Sequence, residues 1–165
     1  MTLKYLLDTS IVSAAIAKVP NPDVVRRLEE HGAECAIASV VWHELQYGCG
    51  RLVPSHRRAI LEAFLQEVVK TSFLILPYDD KAALWHATER VRLEAVGKPA
   101  PFVDGQIAAV AFSNQLTLVT ANPRDFRSFT GLEVQDWTFV SRQVVYECLV
   151  GSGSCGIKQR SCIGL

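Results

Sequence analysis

The residue order predicts an α/β fold, a mainly parallel sheet of four to five strands flanked by helices, and three observations carry that prediction. Short apolar runs of three to five residues alternate along the chain with longer stretches of helical period. Each run stops abruptly at a polar or breaking residue, as Leu7 does at Asp8, Ala38 at Ser39 and Leu76 at Pro77. Hydrophobic residues make up 49% and charged residues 21%, which excludes intrinsic disorder as a description of the whole chain.

Leu3–Leu7 is the first predicted strand, and Asp8-Thr9-Ser10 caps the apolar stretch Ile11 to Ala17 behind it. Pro20-Asn21-Pro22 breaks that stretch. Asn21 as cap and Pro22 at the first helical position then start a second helix, with Val24, Val25 and Leu28 on one face. Cys35–Ala38 is the second strand, and Val40 to Gly48 follows as a helix. Ile60, Leu61, Phe64, Leu65, Val68 and Val69 recur at helical spacing and predict an amphipathic helix after Ser55. Phe73–Leu76 is the third strand. Asp79 or Asp80 caps the next helix, whose predicted inner face is Ala83, Leu84, Ala87 and Val91. The loop Gly97 to Pro101 leads into a helix from Val103 to Asn114, then a fourth strand at Leu116–Thr120. A fifth follows at Leu132–Val134, just before Asp136-Trp137.

At 165 residues the chain suits one domain with a real core. Lys plus Arg and Asp plus Glu both number 17, so no global basic field draws it to nucleic acid or membrane, and any basic surface must be local. No apolar run approaches the roughly 20 residues that span a bilayer. Five cysteines without a C-x-x-C pair, and no signal peptide, point to reduced thiols and a cytoplasmic location. The segment 143–165 changes character, with four glycines, three serines, three cysteines and a single acid. It reads as a flexible C-terminal tail behind a domain spanning 1–142, although Val144-Val145-Tyr146 could extend a strand. Seven-residue steps between Cys148, Cys155 and Cys162 match no zinc-ligand spacing.

The acids fall where ligands bind in parallel sheets, beyond the carboxyl ends of the strands. Asp8 is the first residue after strand one, Glu44 lies about one turn into the helix after strand two, and Asp104 opens the helix before strand four. Asn122 and Asp125 follow strand four. Gathered carboxylates repel one another unless a cation is present, and an all-oxygen set favours Mg²⁺ or Mn²⁺ over zinc. Mg²⁺ on few carboxylates keeps several waters, which suits hydrolysis of phosphodiesters.

These residues carry a resemblance. Leu6-Leu7-Asp8-Thr9-Ser10, Glu44-Leu45-Gln46-Tyr47-Gly48, Asp104-Gly105-Gln106-Ile107-Ala108-Ala109 and Thr120-Ala121-Asn122-Pro123-Arg124-Asp125-Phe126 resemble, in order, the motifs of PIN-domain ribonucleases. The resemblance is strongest to the VapC-type toxins of bacterial type II toxin–antitoxin modules, and it extends from Met1 to about Trp137. It implies a PIN-like three-layer fold and a Mg²⁺- or Mn²⁺-dependent endoribonuclease that is restrained by a cognate antitoxin and forms a homodimer. Asp8, Glu44 and Asp104 match the family's catalytic, metal-binding acids, with Asn122 and Asp125 as further metal candidates. Thr9 or Ser10 matches the hydroxyl beside the first acid, and Thr120 the hydroxyl before the fourth position. Many relatives carry Asp where Asn122 stands, so the resemblance leaves one metal or two open. Lys98, Arg124 and Arg127 are placed to meet RNA phosphates, with Arg51, Arg57 and Arg58 as a second basic patch.

Other chemistries fit less well. His43-Glu44 begins like a zinc-protease motif but has Tyr47 where the second histidine belongs. His31, His56 and His86 are scattered, in positions usual for surface or capping residues. There is no phosphate-binding glycine loop and no G-x-S-x-G nucleophile turn. A PIN-like binding module that has lost activity is the alternative reading. The two divide on the intact acid set and on whether a short antitoxin gene lies immediately upstream.

Overall fold

The computed structural model describes residues 2–139. Strand β1 is Tyr5–Leu7, and helix α1, Thr9–Ala15, leaves it directly. Helix α2, Pro22–His31, starts as its residues dictate: the Asn21 side chain accepts from the amides of Asp23 and Val24, and Pro22 occupies the first turn. Strand β2, Cys35–Ala38, runs into α3, Ser39–Gly50. Helix α4, His56–Phe64, capped by Ser55, passes through a π turn at Leu65–Val69 into the short α5, Lys70–Ser72. Strand β3, Leu74–Leu76, precedes α6, Asp80–Ala95, and α7, Phe102–Ser113. Strand β4, Thr117–Val119, the short α8, Pro123–Phe126, and strand β5, Val134–Gln135, complete the order.

All five strands are parallel, in the order β3-β2-β1-β4-β5. Strand β1 pairs with β2 on one side and β4 on the other, so the winding reverses there and opens a crevice beyond their carboxyl ends. The central strands are buried on both faces, as a covered parallel sheet requires: Leu6, Leu7, Ala36, Ile37, Leu118 and Val119 are fully enclosed. Helix α7 packs on β2 and β4 with Ile107 to Ala111 all buried, its three alanines allowing close approach. Trp137 closes the core beside β5, with Tyr5 edge-on to it at 5.0 Å. Cys35 and Cys49 are free and buried, and burial pushes the Cys35 thiol up to about 12, so it stays protonated.

The fold agrees with the predicted class but corrects several elements. Strand β5 begins at Val134, two residues later than the run at Leu132 suggests. On α4 and its π turn, Leu61, Phe64, Leu65 and Val69 face the body, whereas Ile60 and Val68 face solvent. The largest correction is α6. Its buried residues are Ala82, His86, Glu89 and Leu93, while Leu84 is 71% exposed and Val91 69% exposed. The inner face tolerates polar residues because each has a partner. Glu89 receives Arg92 at 2.6 and 2.8 Å and the Thr130 amide at 2.8 Å, and His86 Nδ1 lies 3.0 Å from the Tyr78 hydroxyl. His86 is therefore a core residue rather than a surface one. Among the described residues no helix is long and apolar enough to cross a membrane. The tail 143–165, with the suggested Val144–Tyr146 strand extension and Cys148, Cys155 and Cys162, lies outside the described residues.

Candidate active site

The crevice beside β1 is built from the residues that follow β1 and β4 and from the first turns of α3 and α7. Asp8 follows β1 and caps α1, its Oδ1 accepting from the Thr9 amide at 2.7 Å. Its Oδ2 accepts from the Ser10 hydroxyl at 2.7 Å and from the Thr120 hydroxyl at 2.9 Å. Thr120 is fully buried at the end of β4, so that bond joins the two strands that flank the crevice. The Ala121 amide donates to Ser10 Oγ and the Asn122 amide to Thr120 Oγ1, which fixes both hydroxyls in turn. Glu44, half-buried on α3, accepts from the Thr9 hydroxyl at 2.5 Å. The two adjacent hydroxyls thus serve different acids: Thr9 holds Glu44, and Ser10 holds Asp8.

Asp104 stands in the first turn of α7. Burial first, then the charges of Asp8, Asp125 and Glu44, push its carboxyl from 3.8 up to about 6. Asp104 therefore feels the other three acids across the crevice, two of which the sequence places there with it. Among the described residues no three ligand-type side chains stand close enough to enclose an ion, so the acids meet at the longer range over which charge couples. Asp125, on α8, is the further carboxylate that reaches Asp104 electrostatically. Asn122 is exposed at the start of α8 and makes no side-chain cap bond.

Of the cationic candidates, Arg124 and Arg127 line an open cleft with Asn122 and Asp125, beside the carboxylates. Lys98 is exposed on the turn between α6 and α7. Sequence reasoning missed the support behind Asp104. A Cβ on Gly105 would fall 2.2 Å from His86 Nε2, so the imidazole packs directly against the backbone that carries Asp104. A glycine inside a helix was the available sign of such a close approach.

A parallel α/β sheet with acids gathered at the switch of its winding defines an acidic-cleft α/β protein. The chain belongs to the PIN-domain family, whose pattern matches residues 5–132. It is 33% identical over 137 residues to the tRNA(fMet)-specific endonuclease VapC of Shigella flexneri, covering 82% of this chain and 99% of that protein. The crystal structure of DNA-bound VapBC from Salmonella typhimurium superposes with a TM-score of 0.72 at 30% identity, over 82% of this chain and 99% of that one. A member of the VapBC family of toxin–antitoxin systems, VapBC-5 from Mycobacterium tuberculosis, superposes with a TM-score of 0.59 at 29% identity, over 81% and 96%.

Proposed function

We propose that this chain is a divalent-metal-dependent endoribonuclease, the toxin of a toxin–antitoxin pair. The observation that carries the reading is Asp104: a half-buried carboxyl held up to about 6 by burial and three neighbouring acids is a site that favours a cation. Relatives named as VapC endonucleases support the substrate class. The donor set is all oxygen, which suits Mg²⁺ or Mn²⁺. Asp8, Glu44 and Asp104 stand too far apart here to enclose an ion and would have to draw together to hold one, which when bound would supply a Lewis acid and make water more acidic. Asn122 offers only a neutral amide oxygen, so one ion is the expected complement.

The chain's own residues prepare that site. Ser10 and Thr120 hold the Asp8 carboxylate in one orientation, and Thr9 holds Glu44. Arg124 and Arg127 line the adjacent cleft and would take phosphates of the RNA strand. The aliphatic stripe of Leu84 and Val91 on the outer side of α6 is the surface we assign to a second copy, giving a homodimer. A cognate antitoxin is the remaining partner, in line with the toxin–antitoxin systems the chain resembles.

Incubating antitoxin-free protein with total RNA in Mg²⁺, Mn²⁺ or EDTA tests the reading. Cleavage should require the ion and vanish in Asp8→Asn and Asp104→Asn proteins that still fold. Cleavage that persists in EDTA, or no cleavage under any metal, would refute it, the latter in favour of a binding module.

A further inference from the structure

Helix α3 carries a second feature beside Glu44. His43, Tyr47 and Arg51 follow one another at four-residue steps, the spacing that stacks side chains along a helix surface. The rings of His43 and Tyr47 lie 6.1 Å apart and within 7° of parallel, and the Arg51 guanidinium sits 5.6 Å from the Tyr47 ring. All three are exposed, Tyr47 by 60%, while Val41, Leu45 and Cys49 bury the opposite side of the helix. Packing of the fold therefore does not account for the ladder. It starts at the residue before Glu44. A cleft lined by Thr9, Ser13, Glu44 and Gly48 runs along the neighbouring side of the same helix.

We propose that this ladder is a base-stacking platform that takes single-stranded RNA as it leaves the carboxylate site. The proposal rests on the ribonuclease reading and adds where the strand runs. Parallel π faces accept any base, and the exposed Arg51 guanidinium, which covers the Tyr47 ring in the free protein, would swing off it to meet the phosphates, the usual composition of a single-strand platform. The ladder itself carries no acid and ends at the exposed Arg51, so it does not repel an anionic chain. On α6 the exposed stripe at Leu84 and Val91 is aliphatic instead, which is the chemistry that suits a second protein copy. The two surfaces thus divide between RNA and protein.

The test compares wild type with Tyr47→Leu, Tyr47→Phe and Arg51→Ala. Steady-state cleavage of a single-stranded oligoribonucleotide should show KM raised about tenfold in Tyr47→Leu, the size expected for one lost stacked base, with kcat within about twofold. Tyr47→Phe keeps the ring and should keep the wild-type KM, whereas Arg51→Ala should raise KM and weaken its salt dependence. A 2-aminopurine oligoribonucleotide mixed with wild type in EDTA should be quenched, and the quenching should be lost in Tyr47→Leu. Unchanged KM and quenching in Tyr47→Leu, while wild type cleaves normally, would overturn the platform alone. Loss of self-association by Tyr47→Leu in sedimentation equilibrium would assign the face to a second copy and overturn it as well. Absence of both RNA binding and cleavage in wild type would instead bring down the ribonuclease reading, and the platform with it.

Discussion

Replacing Asp104 with Asn removes one charge from the crevice at nearly constant volume, and the structure predicts that the apo protein becomes more stable. The Asp104 carboxyl rises from 3.8 to about 6 through burial and the charges of Asp8, Asp125 and Glu44. At about 1.4 kcal/mol per pH unit, ionising it in the folded state costs on the order of 3 kcal/mol. Partial contact with solvent trims this to about 2 kcal/mol. The sign follows from proton uptake: between the unfolded and folded values the native state holds more protons, so wild-type stability falls as pH rises through that window and is level above about 6. Asn carries no such penalty. In EDTA, Asp104→Asn should therefore melt about 4–8 °C above wild type near neutral pH, with the gap closing below about pH 4. Thermal unfolding followed by circular dichroism reads both. Adding Mg²⁺ should raise wild type toward the variant, because only the native site binds the ion. A variant that is no more stable than wild type at neutral pH, or a gain that does not change with pH, would refute the reasoning.

Gly105→Ala puts a methyl 2.2 Å from His86 Nε2, so the first turn of α7 or the imidazole must move. Initial cleavage rates should fall about a hundredfold, as for a displaced catalytic group, and His86→Ala in the same chain should recover most of the loss. Glu89→Gln breaks a pair in which Glu89 is 6% exposed. Urea unfolding should register a loss of about 2 kcal/mol, below the full cost of a buried pair because Arg92 is partly exposed. The Arg92 hydrogen bond holds the Glu89 carboxyl below its ordinary value of 4.5. Its contribution is therefore present above that value and lost as pH falls through the lower, folded one. Metal titration of cleavage should give a half-saturating concentration raised roughly threefold in Asp125→Ala and lowered in Asn122→Asp, since each step changes the crevice by one charge. If Asp125→Ala abolishes cleavage as fully as Asp104→Ala, Asp125 is itself a ligand.

Much of the local structure was legible in the residues because its causes are local. Asn21-Pro22 starts α2, Ser55 starts α4 and Asp79 starts α6, each through a side chain that accepts an amide two or three residues on. The strand ends at Leu7, Ala38 and Leu76 are equally plain, and with them the positions of Asp8 and Glu44 relative to the sheet. The acids could be named from such positions alone, because a parallel sheet always presents its crevice at the carboxyl ends.

What the tertiary structure decided has partners far apart in the chain. The division of labour between Thr9 and Ser10 depends on Glu44, 35 residues away, and on Thr120, 110 residues beyond Ser10. The reversed face of α6 has the same origin. Periodicity favours Leu84 and Val91 inside, but Tyr78 and Thr130 offer hydrogen bonds to His86 and Glu89 there. A buried polar group is unfavourable or acceptable according to its partner, and that partner is set by the fold. By itself the sequence determined where helices and strands begin and which acids stand at strand ends, because capping and apolar patterning act over a few residues. Which of those acids share one field, and which helix faces meet solvent, only the assembled sheet could decide, because charge coupling and burial depend on distance in space.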